Sequence, residues 1–204
     1  MRTSCARFVV QDDVDGDQIL MNLERYARTC YKSKSRITPE SARKFVARLI
    51  RKGHESVIEH EKVTVKIHCD RGVSHEIVRH RIGSYSQEST RYCNYAGAGI
   101  EVIHPFFFPE KSDFYRIWER AMLACETAYN ELIGLGAKPE EARCVLPNSL
   151  KTEIVVTYNL REWRHFFRLR CAKDAHPQMR EVAISLLRYM KKVIPVIFDD
   201  ISEE

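Results

Sequence analysis

The chain has 204 residues, with 33 lysines and arginines against 28 aspartates and glutamates, a formal net charge of +5. Its 44% hydrophobic, 30% charged and 10% aromatic content is close to the globular average and excludes a disordered, collagen-like or coiled-coil chain. No stretch approaches the roughly 18 apolar residues needed to span a bilayer, and Met1–Val10 lacks the features of a signal peptide, so a cytoplasmic protein without membrane attachment is expected. The length suits one domain, residues 1–204. The cysteines number seven and form no CxxC pair, which argues against a disulfide framework and for reduced, mostly buried thiols.

The apolar run Cys5–Val10 reads as a strand. A turn over Asp12–Asp17 leads to helical spacing through Ile19, Leu20, Leu23, Tyr26 and Ala27. Thr38 as N-cap, Pro39 at the first helical position, the stripe Phe45, Val46, Leu49, Ile50 and the terminator Gly53 predict a second helix. Val63, Val65 and Ile67 alternate with polar residues as in a half-buried strand. Asp70 caps a helix predicted over 71–81. Residues 82–99 show little periodicity, and Ile100–Ile103 reads as a strand. Ser112 opens a long helix with apolar positions Ile117, Ala121, Ala124, Cys125, Ala128 and Leu132, closed by Gly134 or Gly136. Pro139 starts a shorter helix, Ile154–Val156 marks a strand, and Leu160–Leu169 and Pro177–Val193 are two more helices. This irregular interleaving indicates an α+β fold, with helices packed on a small sheet.

Functional side chains are densest between Ser74 and Tyr92. In a helix over 71–81, Glu76, Arg79 and His80 would share one stripe at i, i+3 and i+4. Every residue from Ser84 to Arg91 can hydrogen-bond, and neither Gly nor Pro interrupts them, which suits a ligand cradle better than a linker. Arg79, Arg81 and Arg91 offer guanidinium forks for a planar or phosphate-bearing ligand, and Ser86, Gln87 and Ser89 add neutral donors and acceptors. The alternative is a solvated basic helix end followed by a surface loop.

Arg79-His80-Arg81, seven residues, then Ser89 resembles the RHR-x7-S signature of the flavin-dependent thymidylate synthases. Three further blocks, in order, are similar to segments of that family: Gly53-His54-Glu55-Ser56 with Glu59-His60, Ala142-Arg143-x-x-Leu146-Pro147, and Asn159-Leu160-Arg161 with His165 and Leu169-Arg170. The similarity spans about residues 26 to 190. It implies synthesis of dTMP from dUMP with 5,10-methylenetetrahydrofolate as one-carbon donor, FAD as the hydride carrier and NADPH as reductant, in a homotetramer whose active sites lie at subunit interfaces. It places dUMP against Glu76, Arg79, Gln87, Ser89, Arg91, Arg143 and Arg170. It places FAD against Ser56, Arg79, His80, Arg81, Gln87, Asn159, Arg161 and His165, with His54, Glu59 and His176 nearby. By the same pattern Arg170 is the catalytic residue, its charge favouring a deprotonated uracil N3. Leu160 stands where the family more often has a small residue, which would crowd the flavin site.

Rival readings are weaker. His54-Glu55 and Glu59-His60 do not form the H-E-x-x-H spacing of a zinc protease, so no metal is expected. A non-catalytic basic nucleotide- or nucleic-acid-binding protein would explain the charge and the tyrosines Tyr85, Tyr92 and Tyr95, but Glu76 and Glu88 interrupt the patch and no nucleic-acid partner is expected. Cys93 and Cys171 read as incidental or structural thiols rather than nucleophiles. Ser89 lacks a Gly-x-Ser-x-Gly elbow and is assigned to substrate binding. Phe106-Phe107-Phe108 reads as core or subunit contact rather than a lid over folate.

Overall fold

A computed structural model describes residues 1–203. The elements in chain order are β1 (Arg2–Ser4), β2 (Arg7–Val10), α1 (Gly16–Cys30), α2 (Ser41–Arg51), β3 (Lys62–Asp70), α3 (Arg71–Ile77), β4 (Ser84–Gln87), β5 (Glu101–Ile103), α4 (Asp113–Gly134), α5 (Pro139–Ala142), β6 (Lys151–Asn159), α6 (Leu160–Arg170) and α7 (Pro177–Val193). Four strands form a sheet in the order β2-β3-β6-β4, and β1 pairs in parallel with β5, Arg2 opposite Glu101. The fold is α+β, as expected.

Contacts separate the chain into two compact units. The first comprises Met1–Phe8, Lys66–Arg79 and Tyr85–Val155; the second comprises Val9–Val65, His80–Ser84 and Val156–Glu204. The first unit has a core of Ile100, Val102, Trp118, Met122 and Leu150, against which Tyr95, Phe108, Tyr115 and Leu146 pack. In the second unit, α6 turns Trp163, Phe166 and Phe167 inward, and Phe198 meets Phe167 edge to face at 5.5 Å. The buried Trp163 indole donates to the Val63 carbonyl at 3.0 Å, which ties α6 to β3 and satisfies a polar group that burial would otherwise penalise.

Several expectations need correction. Helix α3 ends at Ile77, so Glu76, Arg79 and His80 do not share a helical stripe. Helix α2 starts at Ser41 without a side-chain cap, and Thr38 instead lies in the preceding turn, where its carbonyl accepts from the Ser41 hydroxyl. The polar stretch 82–99 contains β4. On α4 the buried residues are Trp118, Met122 and Tyr129, while Ile117 is exposed, so the inward face is rotated from the one expected. Only Cys69 and Cys171 of the seven thiols are buried; Cys5, Cys30 and Cys144 are exposed. The strand expected over Cys5–Val10 is shorter, β2 from Arg7 to Val10, and β1, Arg2–Ser4, lies before it and was not expected.

Candidate active site

Helix α3 is launched by the Asp70 carboxylate, which accepts from the Val73 amide at 2.7 Å. Its early end leaves Arg79-His80-Arg81 in irregular backbone. Gly83 follows where the chain runs hard against β6: a Cβ there would stand 2.3 Å from the Tyr158 ring and 3.0 Å from the Thr157 carbonyl. Only glycine allows this approach.

In the second unit, His80 is 4% exposed and meets Glu162 with its Nδ1 2.9 Å from the carboxylate. The Arg170 Nε donates to His80 Nε2 at 3.1 Å. A guanidinium has no acceptor, so His80 Nε2 carries the lone pair, and Nδ1 carries the proton it gives to Glu162. Burial lowers the pKa of His80, the Glu162 hydrogen bond opposes that shift, and the Arg170 charge adds to it. The imidazole is therefore neutral at physiological pH. Glu162 itself is placed by the first turn of α6, where its amide donates to the Asn159 side chain at 2.8 Å. The His165 ring lies edge-on to His80 at 5.4 Å. Ligand atoms of His80, Glu162 and His165 approach within 4.8 Å of one another. Both His80 nitrogens are already engaged, however, and a bound cation would have to displace the Arg170 guanidinium.

The same unit holds an open cavity of about 410 Å³, lined among others by Cys30, Tyr31, Leu49, His54, Ser56 and Arg161. The turn Glu55–His60 that forms one wall is fastened by a fully buried cation. Arg164 donates to Glu55 at 3.0 Å, to both Asp200 oxygens at 2.7 Å and to the Ile197 carbonyl, and Arg168 joins Glu55 at 3.0 Å. Burial works against the Glu55 charge, but hydrogen bonds and charge from Arg168 and Arg164 outweigh it and hold the carboxyl below its usual range. The Arg164 hydrogen bonds do the same for Asp200. Arg161 and Glu59 form an exposed pair beside the cavity. Leu160 is fully buried in the second unit, its amide bonded to the Glu61 carbonyl. It fills core and does not line the cavity.

In the first unit, the Gln87 amide donates to Ser74 Oγ at 2.9 Å and to Thr152 Oγ1 at 3.3 Å. Arg143 reaches Thr90 at 3.5 Å, and Arg91 reaches Glu140 at 3.5 Å from an exposed position. Ser89 is half-buried and its hydroxyl accepts from the Arg91 amide at 3.2 Å. Glu76 is half-buried and Arg79 exposed.

Of the residues expected at the flavin, Ser56, His80, Arg81, Asn159, Arg161 and His165 belong to the second unit with Arg170; Arg79 and Gln87 belong to the first, with Glu76, Ser89, Arg91 and Arg143. Sequence reasoning missed Glu162, because an acid three residues after an Asn N-cap reads as a capping box. It also missed Thr152 and Ser74 as partners of Gln87. Cys171 is buried, and burial pushes its thiol up to about 11, which removes it as a nucleophile at neutral pH.

This donor set of guanidinium forks, hydroxyls and a neutral imidazole suits an anionic ligand with a planar ring. The chain belongs to the thymidylate synthase complementing protein family, whose profile matches residues 15–196. A protein from Geobacter sulfurreducens named flavin-dependent thymidylate synthase is 40% identical over 181 residues, covering 85% of this chain and 78% of that one. One of the same name from Pyrococcus furiosus is 39% identical over 165 residues, covering 78% and 67%. The fold matches that of the UMP/dUMP methylase PolB from Streptomyces cacaoi, solved with 5-Br dUMP, at a TM-score of 0.80 and 23% identity, over 98% of this chain and 96% of that one.

Proposed function

We propose that the chain, acting as a single catalytic domain, is a flavin-dependent thymidylate synthase that converts dUMP to dTMP, with 5,10-methylenetetrahydrofolate as one-carbon donor and NADPH as reductant. The observation that carries this reading is the Arg170 guanidinium, poised on a neutral, buried His80 inside a chain of this family. FAD, when bound, would supply the hydride that completes the methyl group. The cavity beside Ser56, His54 and Arg161, with its apolar Leu49 and Tyr31 wall, has the donors and the room for a moiety of such a cofactor. By the family pattern, Ser56, Arg79, His80, Arg81, Gln87, Asn159, Arg161 and His165 would hold it.

The protein's own task is to bind, orient and polarise. Arg91, Arg143 and Ser89 take the anionic end of dUMP, and Glu76, Arg79 and Gln87 its remaining polar groups. Arg170 presents a fixed positive charge that favours the N3 anion of the uracil, which moves electron density toward C5. Because Nε already donates to His80, the guanidinium plane is set before substrate arrives, and little reorganisation remains. The enzyme works in the cytoplasm as a homotetramer with active sites at subunit interfaces.

Tritium release from C5-labelled dUMP, measured with methylenetetrahydrofolate and NADPH and with or without FAD, tests this. Release that requires flavin is expected. Folded, FAD-supplemented protein that releases none would instead be a non-catalytic nucleotide- or nucleic-acid-binding relative.

A further inference from the structure

Glu162 has no place in the roles assigned above, yet it is 6% exposed and its carboxylate is aimed at an imidazole that accepts from Arg170. A buried carboxylate is costly unless it is used. Glu162 stands in the first turn of α6 and Arg170 at its last residue, so one helix carries both ends of the arrangement and His80 closes it from another segment of the chain.

We infer that Glu162 is a positioning residue for Arg170, acting through the tautomer of His80: by accepting the Nδ1 proton it keeps Nε2 a pure acceptor, and that acceptor holds the guanidinium by Nε–H. This rests on the synthase reading for the role of Arg170, whereas the tautomer does not. Loss of the carboxylate allows the proton to move to Nε2, where it would oppose the Arg170 N–H and turn the guanidinium plane away from its working direction. Nothing in the step is consumed; one proton stays on His80 throughout.

The charged and titratable groups around His80 are Glu162, His165 and Arg170 from α6 and Tyr158 from β6. Acid adds a second proton at Nε2 and releases Arg170, so turnover has an acid limb set by His80. Glu162 is the group that raises the His80 pKa against burial and Arg170. Removing its charge therefore moves that limb to lower pH.

The test is a double-mutant cycle in FAD-loaded enzyme. Glu162→Gln, which keeps the shape, is expected to lower kcat about ten- to a hundredfold with KM for dUMP and flavin absorbance little changed, and to displace the acid limb downward. In an Arg170→Ala background, the same change costs less than about threefold, because the residue it positions is gone. Glu162→Asp restores part of the rate. Losses that multiply across the two sites, or an unmoved acid limb, overturn the inference. The second arm needs no turnover: nitrogen NMR of labelled histidine in the wild-type protein should show His80 protonated on Nδ1 alone, and it remains decisive even where Glu162→Gln fails to fold. An Nε2-protonated His80 overturns the inference. A wild-type enzyme that binds FAD but releases no tritium fails the synthase reading instead, and leaves the tautomer result standing.

Discussion

In the second unit, Arg170 is held by a chain of contacts at 3.1 and 2.9 Å that ends on a buried carboxylate; in the first, Arg91 and Arg143 rest on contacts of 3.5 Å. The buried chain fixes a tautomer and a guanidinium plane, while a long contact from an exposed guanidinium fixes almost nothing. The contrast fits the two kinds of work proposed for these residues. A charge that must meet developing negative charge gains from preorganisation, since reorganising it costs rate. Residues that catch a mobile phosphate gain from reach and from being unencumbered until the ligand arrives.

The sharpest way to break the contrast is at Arg164, the cation that fastens the cavity wall. Arg164→Met keeps bulk but removes the buried cation that Glu55 and Asp200 share, leaving them only the more exposed Arg168, and a cost of about 3–5 kcal/mol in stability is expected by urea unfolding. Both carboxyls have folded pKa values below their ordinary 4.5 and 3.8. The stabilisation they carry is therefore complete above about pH 4.5 and is lost as pH falls through the lowered folded values. The variant should show a shallower loss of stability below pH 4.5 than the wild type; an unchanged acid slope would locate the acid sensitivity elsewhere.

A smaller effect is expected at Gly83. An added Cβ meets the fully buried Tyr158 ring at 2.3 and 2.4 Å, and Tyr158 is wedged against Trp163 at 4.7 Å. Gly83→Ala should cost about 1–3 kcal/mol and displace His80, whose ring lies 6.0 Å from Tyr158. Gly134→Ala is the control. It sits in a helix with nothing within 4 Å of the added carbon and should be neutral or stabilising by up to about 1 kcal/mol. Equal melting temperatures for the two variants would refute the close approach.

Legibility in sequence tracked whether the controlling contact was local. The limits of α7, Pro177–Val193, and the Ser112 cap of α4, which accepts from Tyr115 at 3.1 Å, were readable because proline and a capping serine act within one turn. The stop of α3 was not, since no glycine or proline stands at Ile77 and what draws His80 away is Glu162, 82 residues further on. Apolar residues lie on two faces of α4, so periodicity alone could not choose Trp118 and Met122 over Ile117 and Ala121. Strand β4 carries Ser84, Tyr85, Ser86 and Gln87 and has no apolar face to announce it. For the candidate site, the motif blocks supplied the residues proposed above; their partners lay in other segments and could not be read from spacing.

The first unit is best probed at Arg91. Its guanidinium is half-exposed, 3.5 Å from Glu140 and 5.2 Å above the Tyr92 ring. An exposed pair of this length contributes little, so Arg91→Ala should change the melting temperature hardly at all, within about 0.5 kcal/mol of stability. If Arg91 takes the phosphate, the same variant weakens dUMP binding about tenfold, and the loss shrinks as salt rises. Glu140→Gln separates the two contributions. Glu140 competes with the ligand for the same fork, so its neutralisation should leave dUMP affinity equal or slightly higher. A lower affinity in Glu140→Gln, measured by calorimetry, would make Glu140 a positioning partner and the first unit as preorganised as the second.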